Sequence, residues 1–135
     1  MVMATPGRRR SHITDLAAFA DLSTTDRRTI RRAARMMTYP RGATIQEAGS
    51  IDRRLVIVVE GIVELDDGSE VRECGQGTAF GDAGSYGQSL LVTATATSKV
   101  TTWQVPSLVV ASVAKRNERL MSWLTSEPAE ISLAG

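Results

Sequence analysis

The residues whose types and spacing could do chemistry lie between Gly75 and Ala96. Five glycines (75, 77, 81, 84 and 87) fall within thirteen positions, and Phe80-Gly81-Asp82-Ala83-Gly84-Ser85 places a carboxylate just after a bulky apolar residue and a glycine. Glycine at this density lets successive backbone N–H groups turn into one concavity, which can cradle an anion without a lysine. Leu90-Leu91-Val92 and the alternating Thr93-Ala94-Thr95-Ala96 then lead out of the loop as a strand-like run. The chemistry implied is recognition of a small anion.

Bond-making chemistry finds little support elsewhere. The single histidine, His12, sits in a polar stretch near the start. A metal centre of the kind found in β-barrel enzymes needs several histidines with a carboxylate, and Ser-His-Asp or Cys-His catalysis needs a placed imidazole. Cys74 is the only cysteine, so it has no internal disulfide partner, and it reads as a small strand residue rather than a redox sensor. Asp66-Asp67 precedes Gly68 and reads as a turn, because adjacent carboxylates in a hairpin point different ways. There is no P-loop, no Cys-x-x-Cys pair and no dinucleotide fingerprint. The expectation is a protein that is not an enzyme and carries no cofactor.

At 135 residues and 42% hydrophobic composition, the chain suits one globular domain with a real core. No apolar run approaches the roughly 18 residues of a membrane span, and no apolar segment follows Arg8-Arg9-Arg10 as a secretion signal would require. With a lone cysteine, the expected setting is cytoplasmic. The net charge of +1 hides an asymmetry. Residues 1–54 hold eleven arginines against five acids, while residues 55–135 hold five basic residues against ten acids. The first part is suited to an anionic partner or to the acidic part of a second copy.

Stepping along the elements, residues 1–12 form a polar, basic arm, expected to be mobile. A helical segment is predicted over 14–37. Thr14 caps a short helix bearing Leu16, Phe19 and Leu22, and Ser23 starts a second with Asp26 in a capping-box-like place. The second helix has an apolar stripe of Ile30, Ala33, Ala34 and Met37. Arg27, Arg28, Arg31, Arg32 and Arg35 cover its remaining surface as a solvated face or a seat for an acidic protein partner. Nucleic acid is disfavoured because no aromatic residues interleave for stacking. Short strands follow over 43–46, 55–60, 62–65, 70–73, 92–97 and 100–105, punctuated by glycines and an Asp-Gly turn. The barrel they imply spans 38–105, helices occupy 107–126 after Pro106, and 127–135 is a tail. The fold class is α+β, mainly β: N-terminal helices, a β jelly roll and short C-terminal helices.

Several segments resemble the cyclic nucleotide-binding domain family, the sensor barrel of catabolite-activator-type bacterial regulators. Leu16-Ala-Ala-Phe19-Ala-Asp-Leu22 is similar to its opening Leu-x-x-Phe-x-x-Leu. Tyr39-Pro-Arg-Gly42-Ala-Thr-Ile45-Gln-Glu-Ala-Gly49 resembles its Tyr-x-x-Gly-Glu-x-Ile-x-x-x-Gly. Leu55-Val-Ile-Val-Val-Glu-Gly61-Ile-Val63 looks like its first strand pair, and residues 75–96 look like its phosphate-binding cassette. The resemblance spans roughly residues 16–124 and departs at one place of consequence. Leu90 stands where the family has its phosphate-binding arginine. Asp82 matches the family's ribose-binding glutamate with a side chain one methylene shorter.

The resemblance implies two functions. In one, a small anion such as cyclic AMP or cyclic GMP sits on Phe80, Gly81, Asp82, Ala83, Gly84, Ser85 and the Leu90-Leu91-Val92 backbone, and the C-terminal helices relay its arrival. Arg72, on the strand before the cassette, is the candidate replacement for the arginine, and Trp123 is a base-stacking lid, a dimer contact or a core plug. In the other, the site is degenerate and the domain works by contact with a protein partner or a second copy. Losing one partner of a buried charge pair costs about 3–5 kcal/mol, or roughly two to four orders of magnitude in affinity. That arithmetic favours the degenerate reading for cyclic nucleotides. A DNA-binding helix-turn-helix is not expected within the 135 residues, nor is insertion into a membrane.

Overall fold

The computed structural model describes residues 5–6, 13, 19–49, 53–81 and 92–124. Helix α1 spans Thr24–Ala33, and its start follows from Ser23, whose hydroxyl oxygen accepts the Asp26 N–H at 3.1 Å. One orphan donor of the first turn is satisfied in this way. Ile30 is fully buried on the apolar side, while Arg28, Arg31 and Arg32 are exposed.

The helix ends earlier than its apolar spacing predicts. Ala34 is extended (ψ 141°), and β2 runs over Arg35–Tyr39, so Arg35 and Met37 lie on a strand rather than a helix face. The cause is tertiary. Residues 35–39 pair along their whole length with β9 (Val100–Pro106), from Arg35 opposite Gln104 to Tyr39 opposite Val100. Met-Met-Thr-Tyr suits a half-buried strand better than a helix end.

Nine strands form two antiparallel sheets among the described residues. The first has the order β1 (Thr5–Pro6), β2, β9 (Val100–Pro106), β4 (Arg54–Glu60) and β7 (Ala79–Gly81). The second has the order β3 (Thr44–Gln46), β8 (Thr93–Ala96), β5 (Val63–Asp66) and β6 (Val71–Cys74). Thr5–Pro6 of the predicted arm thus pairs with the edge of β2, opposite Thr38 and Met37, and the rest of the arm lies outside the described residues. The Asp66-Asp67-Gly68 turn joins β5 to β6. Asp66 accepts the Gly68 N–H at 2.8 Å, and Asp67 accepts the N–H groups of Ser69 and Glu70 at 2.9 and 2.8 Å.

The first sheet is covered on both faces, which explains why Leu55-Val56-Ile57-Val58 is apolar without alternation. Val56 and Val58 face the second sheet and pack with Tyr39, Val63, Leu65, Phe80, Ala94, Ala96 and Val100. Leu55 and Ile57 face outward with Trp103 and Val105, beneath α1, α2 (Ser107–Ala114) and α3 (Glu118–Leu124). The C-terminal helices are tied to the N-terminal segment by polar contacts as well. Arg116 pairs with the buried Asp26 at 2.5 Å, Arg119 pairs with Asp21 at 3.2 Å, and Asn117 donates to the Asp21 carbonyl at 3.3 Å. No helix among the described residues is long and apolar enough to cross a membrane.

Candidate functional site

The described ends of the glycine-rich cassette lie on different sheets. Gly81 ends β7 in the first sheet, and Val92 precedes β8 in the second. Asp82, Ala83, Gly84, Ser85, Leu90 and Leu91 lie outside the described residues, but both anchor points and their surroundings are defined. Phe80 is buried in the core between the sheets. Gly81 pairs with Leu55 at a φ of +101°, and a Cβ there would fall 2.3 Å from the Arg54 carbonyl oxygen. Glycine is therefore required by the close approach of β4 as well as by the dihedral. Val92, at the far anchor, is buried.

Gln46 touches both anchors. Its side-chain amide donates to the Val92 carbonyl at 3.0 Å, and its Oε1 would stand 3.2 Å from a Cβ at Gly81. A second bond supports the far anchor, from the Ala48 N–H to the Thr93 hydroxyl at 3.0 Å.

Beside this lies a polar network that joins the two sheets. Arg54, the first residue of β4, reaches across to the second sheet and donates through Nη2 to the Ile45 carbonyl. Its Nη1 donates to the Gln104 Oε1 at 2.5 Å. The Gln104 amide then donates to the Tyr39 hydroxyl at 2.7 Å and the Thr102 hydroxyl at 3.1 Å. The Arg54 Nε is buried and has no hydrogen-bond partner. No carboxylate pairs with Arg54 among the described residues.

Arg72 lies on β6 opposite Leu65, in the sheet that faces Arg54. Its charge reaches Asp67. That carboxyl is held below the usual carboxylate value chiefly by the Ser69 N–H, then by the Glu70 N–H and the Ser69 hydroxyl, with Arg72 a smaller contributor.

The predicted five-arginine face is divided by the break at Ala34. Arg27 turns back to donate to the Ala20 carbonyl at 3.0 Å, and Arg28 and Arg31 stay on the exposed face of α1. Arg32 and Arg35 instead join Arg53 and Arg54 around an open groove of about 580 Å³, walled by Ala33, Gln104, Val105 and Pro106. Trp123 falls on α3, and its side chain lies outside what is described.

Arg54, Gln46 and Gln104 were not singled out by the sequence. A signal was present for two of them. Arg53-Arg54 opens an otherwise apolar strand, and Gln104 interrupts Trp103 and Val105 in another.

Comparison with known proteins places this architecture. The sequence matches the cyclic nucleotide-binding domain family over residues 36–117. Among curated proteins, none matches the sequence. The fold is similar to that of a putative cyclic nucleotide-binding protein from Geobacter metallireducens, at TM-score 0.66 and 22% identity, covering 84% of this chain and 86% of the other. It is also similar to the sensor domain of the transcriptional regulator DNR from Pseudomonas aeruginosa, at TM-score 0.69 and 14% identity, covering 79% and 80%. A third likeness is the regulatory subunit of a cAMP-independent protein kinase A from Trypanosoma brucei, in a mutant form bound to cAMP. Its TM-score is 0.60 at 19% identity, over 79% of this chain and 43% of the other. At these identities the structures speak for the fold, and the sequence match speaks for the lineage: the chain belongs to the cyclic nucleotide-binding domain family.

Proposed function

We propose that this domain is a non-enzymatic, cytoplasmic regulatory module that acts through protein contacts and does not hold cyclic AMP or cyclic GMP in its family's usual mode. The observation that carries this reading is the bridge made by Arg54. Leu90 leaves the cassette without its arginine, and a phosphate there would need another guanidinium nearby. Both Nη groups of Arg54 are committed to the Ile45 carbonyl and Gln104, where they hold the two sheets together. Using them for a ligand would break that bridge. The interior behind it is also filled, since Val56, Val58, Val63 and Phe80 are all at most 1% exposed.

A second reading, a ligand sensor, draws support from the strict glycine geometry at Gly81 and the retained acid at Asp82. In that reading the clamp of Asp26 on Arg116 and Asp21 on Arg119 couples the N-terminal helical segment to the C-terminal helices, so that the two move together.

Calorimetric titration with cyclic AMP and cyclic GMP to millimolar concentration separates the two. The regulatory-contact reading expects no saturable heat. A Kd tighter than about 10 μM, roughly −7 kcal/mol, would replace it with the sensor reading.

A further inference from the structure

Two surfaces of the molecule each hold a pair of like charges at the closest spacing their element allows. On α1, Arg28 and Arg32 stand one turn apart on the exposed side, with Arg31 next to them. Like charges at i, i+4 weaken a helix. On the second sheet, the pairing of β5 with β6 sets Glu64 directly opposite Glu73. Like charges directly across a strand pair are destabilising too. Among the described residues, none of these four side chains, Arg28, Arg32, Glu64 and Glu73, makes an ion pair.

Strand alternation fixes which way the acidic pair faces. Val63 and Leu65 flank Glu64 and are buried between the sheets, so Glu64 and Glu73 lie on the outer face of the second sheet. Their row continues through Thr95 to Thr44, and the next row is Thr93, Asp66 and Val71. No basic residue stands at any of these positions, and Val71, on the edge strand, is 56% exposed. Helix α1 lies beyond the first sheet, where Ile30 packs with Ile57 and Trp103. The basic and acidic faces are thus on opposite sides of the sandwich and cannot meet within one copy.

Between copies they fit in charge, spacing and length. Helix neighbours at i, i+4 are about 5–6 Å apart at Cβ, and directly opposite strand residues about 4.5–5.5 Å. The ten residues of α1 span about 15 Å, and the four strands of the second sheet cover about 14 Å across. We propose that the chain associates head to tail with a second copy of itself, α1 of one lying across the outer face of the second sheet of the next. Arg28 and Arg32 then meet Glu64 and Glu73, and each like-charge pair relieves the other. A contact between two different faces repeats from copy to copy, giving a ring or an open filament rather than a two-fold dimer. This rests on the contact reading proposed above and names its partner.

The test is sedimentation velocity of the full chain without nucleotide, so that a failure counts against this pair of faces and not against the proposed function, which falls to the cyclic nucleotide titration. At about 25 mM salt the sedimentation coefficient is expected to rise as the protein approaches about 1 mM, and at about 0.5 M salt to stay at the monomer value. Arg28→Glu with Arg32→Glu should weaken association by about tenfold or more, as should Glu64→Arg with Glu73→Arg. Mixing these two double variants should restore it, because the acidic helix of one then meets the basic sheet of the other. Arg41→Glu with Lys99→Glu makes the same change in net charge at exposed loop positions and should alter association by less than about twofold. If a reversal variant melts below wild type, Arg28→Gln with Arg32→Gln and Glu64→Gln with Glu73→Gln read the same faces. No concentration dependence at low salt would overturn the proposal. So would association that survives either reversal or high salt, a mixture of folded variants that stays monomeric, or an equal loss in the Arg41 and Lys99 control.

Discussion

Arg54 and Gln104, fifty positions apart, meet side chain to side chain at 2.5 Å where β4 begins and β9 ends. The contact links two strands of the first sheet, and the other Nη of Arg54 extends it to the Ile45 carbonyl of the second. Gln104 passes the connection on to Tyr39 and Thr102. One guanidinium therefore fastens the mouth of the barrel beside the cassette.

This fastening predicts a loss of stability when it is cut. Arg54→Leu removes the donors from Gln104 and Ile45, and a buried acceptor left unsatisfied costs about 1–3 kcal/mol. Urea unfolding should show a loss in that range. Gln104→Leu should also destabilise, and the double variant should lose less than the sum of the two, because both delete the same bond. Strictly additive losses would mean that the contact contributes nothing of its own.

Much of the fold was legible beforehand, and the parts that were not have a common cause. The six strands read from the sequence lie within a residue or so of β3, β4, β5, β6, β8 and β9. Each is marked by apolar or β-branched runs between glycines. β2 and β7 were missed because pairing partners far along the chain define them: Arg35–Tyr39 continues a helical spacing until β9 claims it, and Ala79–Gly81 is three residues inside a glycine-rich loop. Nothing local announces either. The candidate site divided the same way. Phe80 and Gly81 belong to a glycine-rich pattern visible in the sequence, whereas the groove depends on register, which brings Arg35 and Arg54 to one edge only after β2, β9 and β4 are aligned.

Gly81 should be far less tolerant of substitution than a glycine that is merely turned. Gly42 has a comparable φ of +89°, but a Cβ there meets nothing within 4 Å, while one at Gly81 meets the Arg54 carbonyl at 2.3 Å. Gly42→Ala carries the dihedral strain alone, on the order of 1–2 kcal/mol. Gly81→Ala adds displacement of β7 from β4 and should lower the melting temperature clearly more. Parallel thermal melts of the two variants decide it, and equal shifts would contradict the close approach.

Asp26 supplies a pH dependence with a defined sign. Its carboxyl is held below the usual value of 3.8, first by the hydrogen bond from Arg116, then by the charge of Arg116 and by Ser23, against the opposing effect of burial. A depressed folded pKa means the unfolded state takes up the proton first. The stabilisation is thus complete above about pH 4–5 and drains away as the pH falls through 3.8 toward the lower folded value. Asp26→Asn should lower the melting temperature at pH 7 and flatten the fall in stability below pH 4. A variant whose acid limb matches wild type would show that other carboxylates govern it.

Leu90→Arg tests the reading of the cassette itself. The proposed function attributes the expected lack of cyclic nucleotide binding to this one position, where the family has its phosphate-binding arginine. Restoring a guanidinium should return part of an interaction whose loss costs about 3–5 kcal/mol, or roughly two to four orders of magnitude in affinity. Only part is expected, because the aspartate at position 82 is one methylene shorter than the glutamate that the family resemblance puts there. Leu90→Arg combined with Asp82→Glu should therefore bind cyclic AMP more tightly than Leu90→Arg alone. Calorimetry at matched ionic strength measures both against wild type, with Leu90→Gln as a polar control lacking the charge. If neither arginine variant binds better than wild type, Leu90 does not occupy the phosphate position and the alignment of the cassette is wrong. If Leu90→Gln gains as much as Leu90→Arg, the leucine acted by excluding a polar ligand, and the missing charge was never the obstacle.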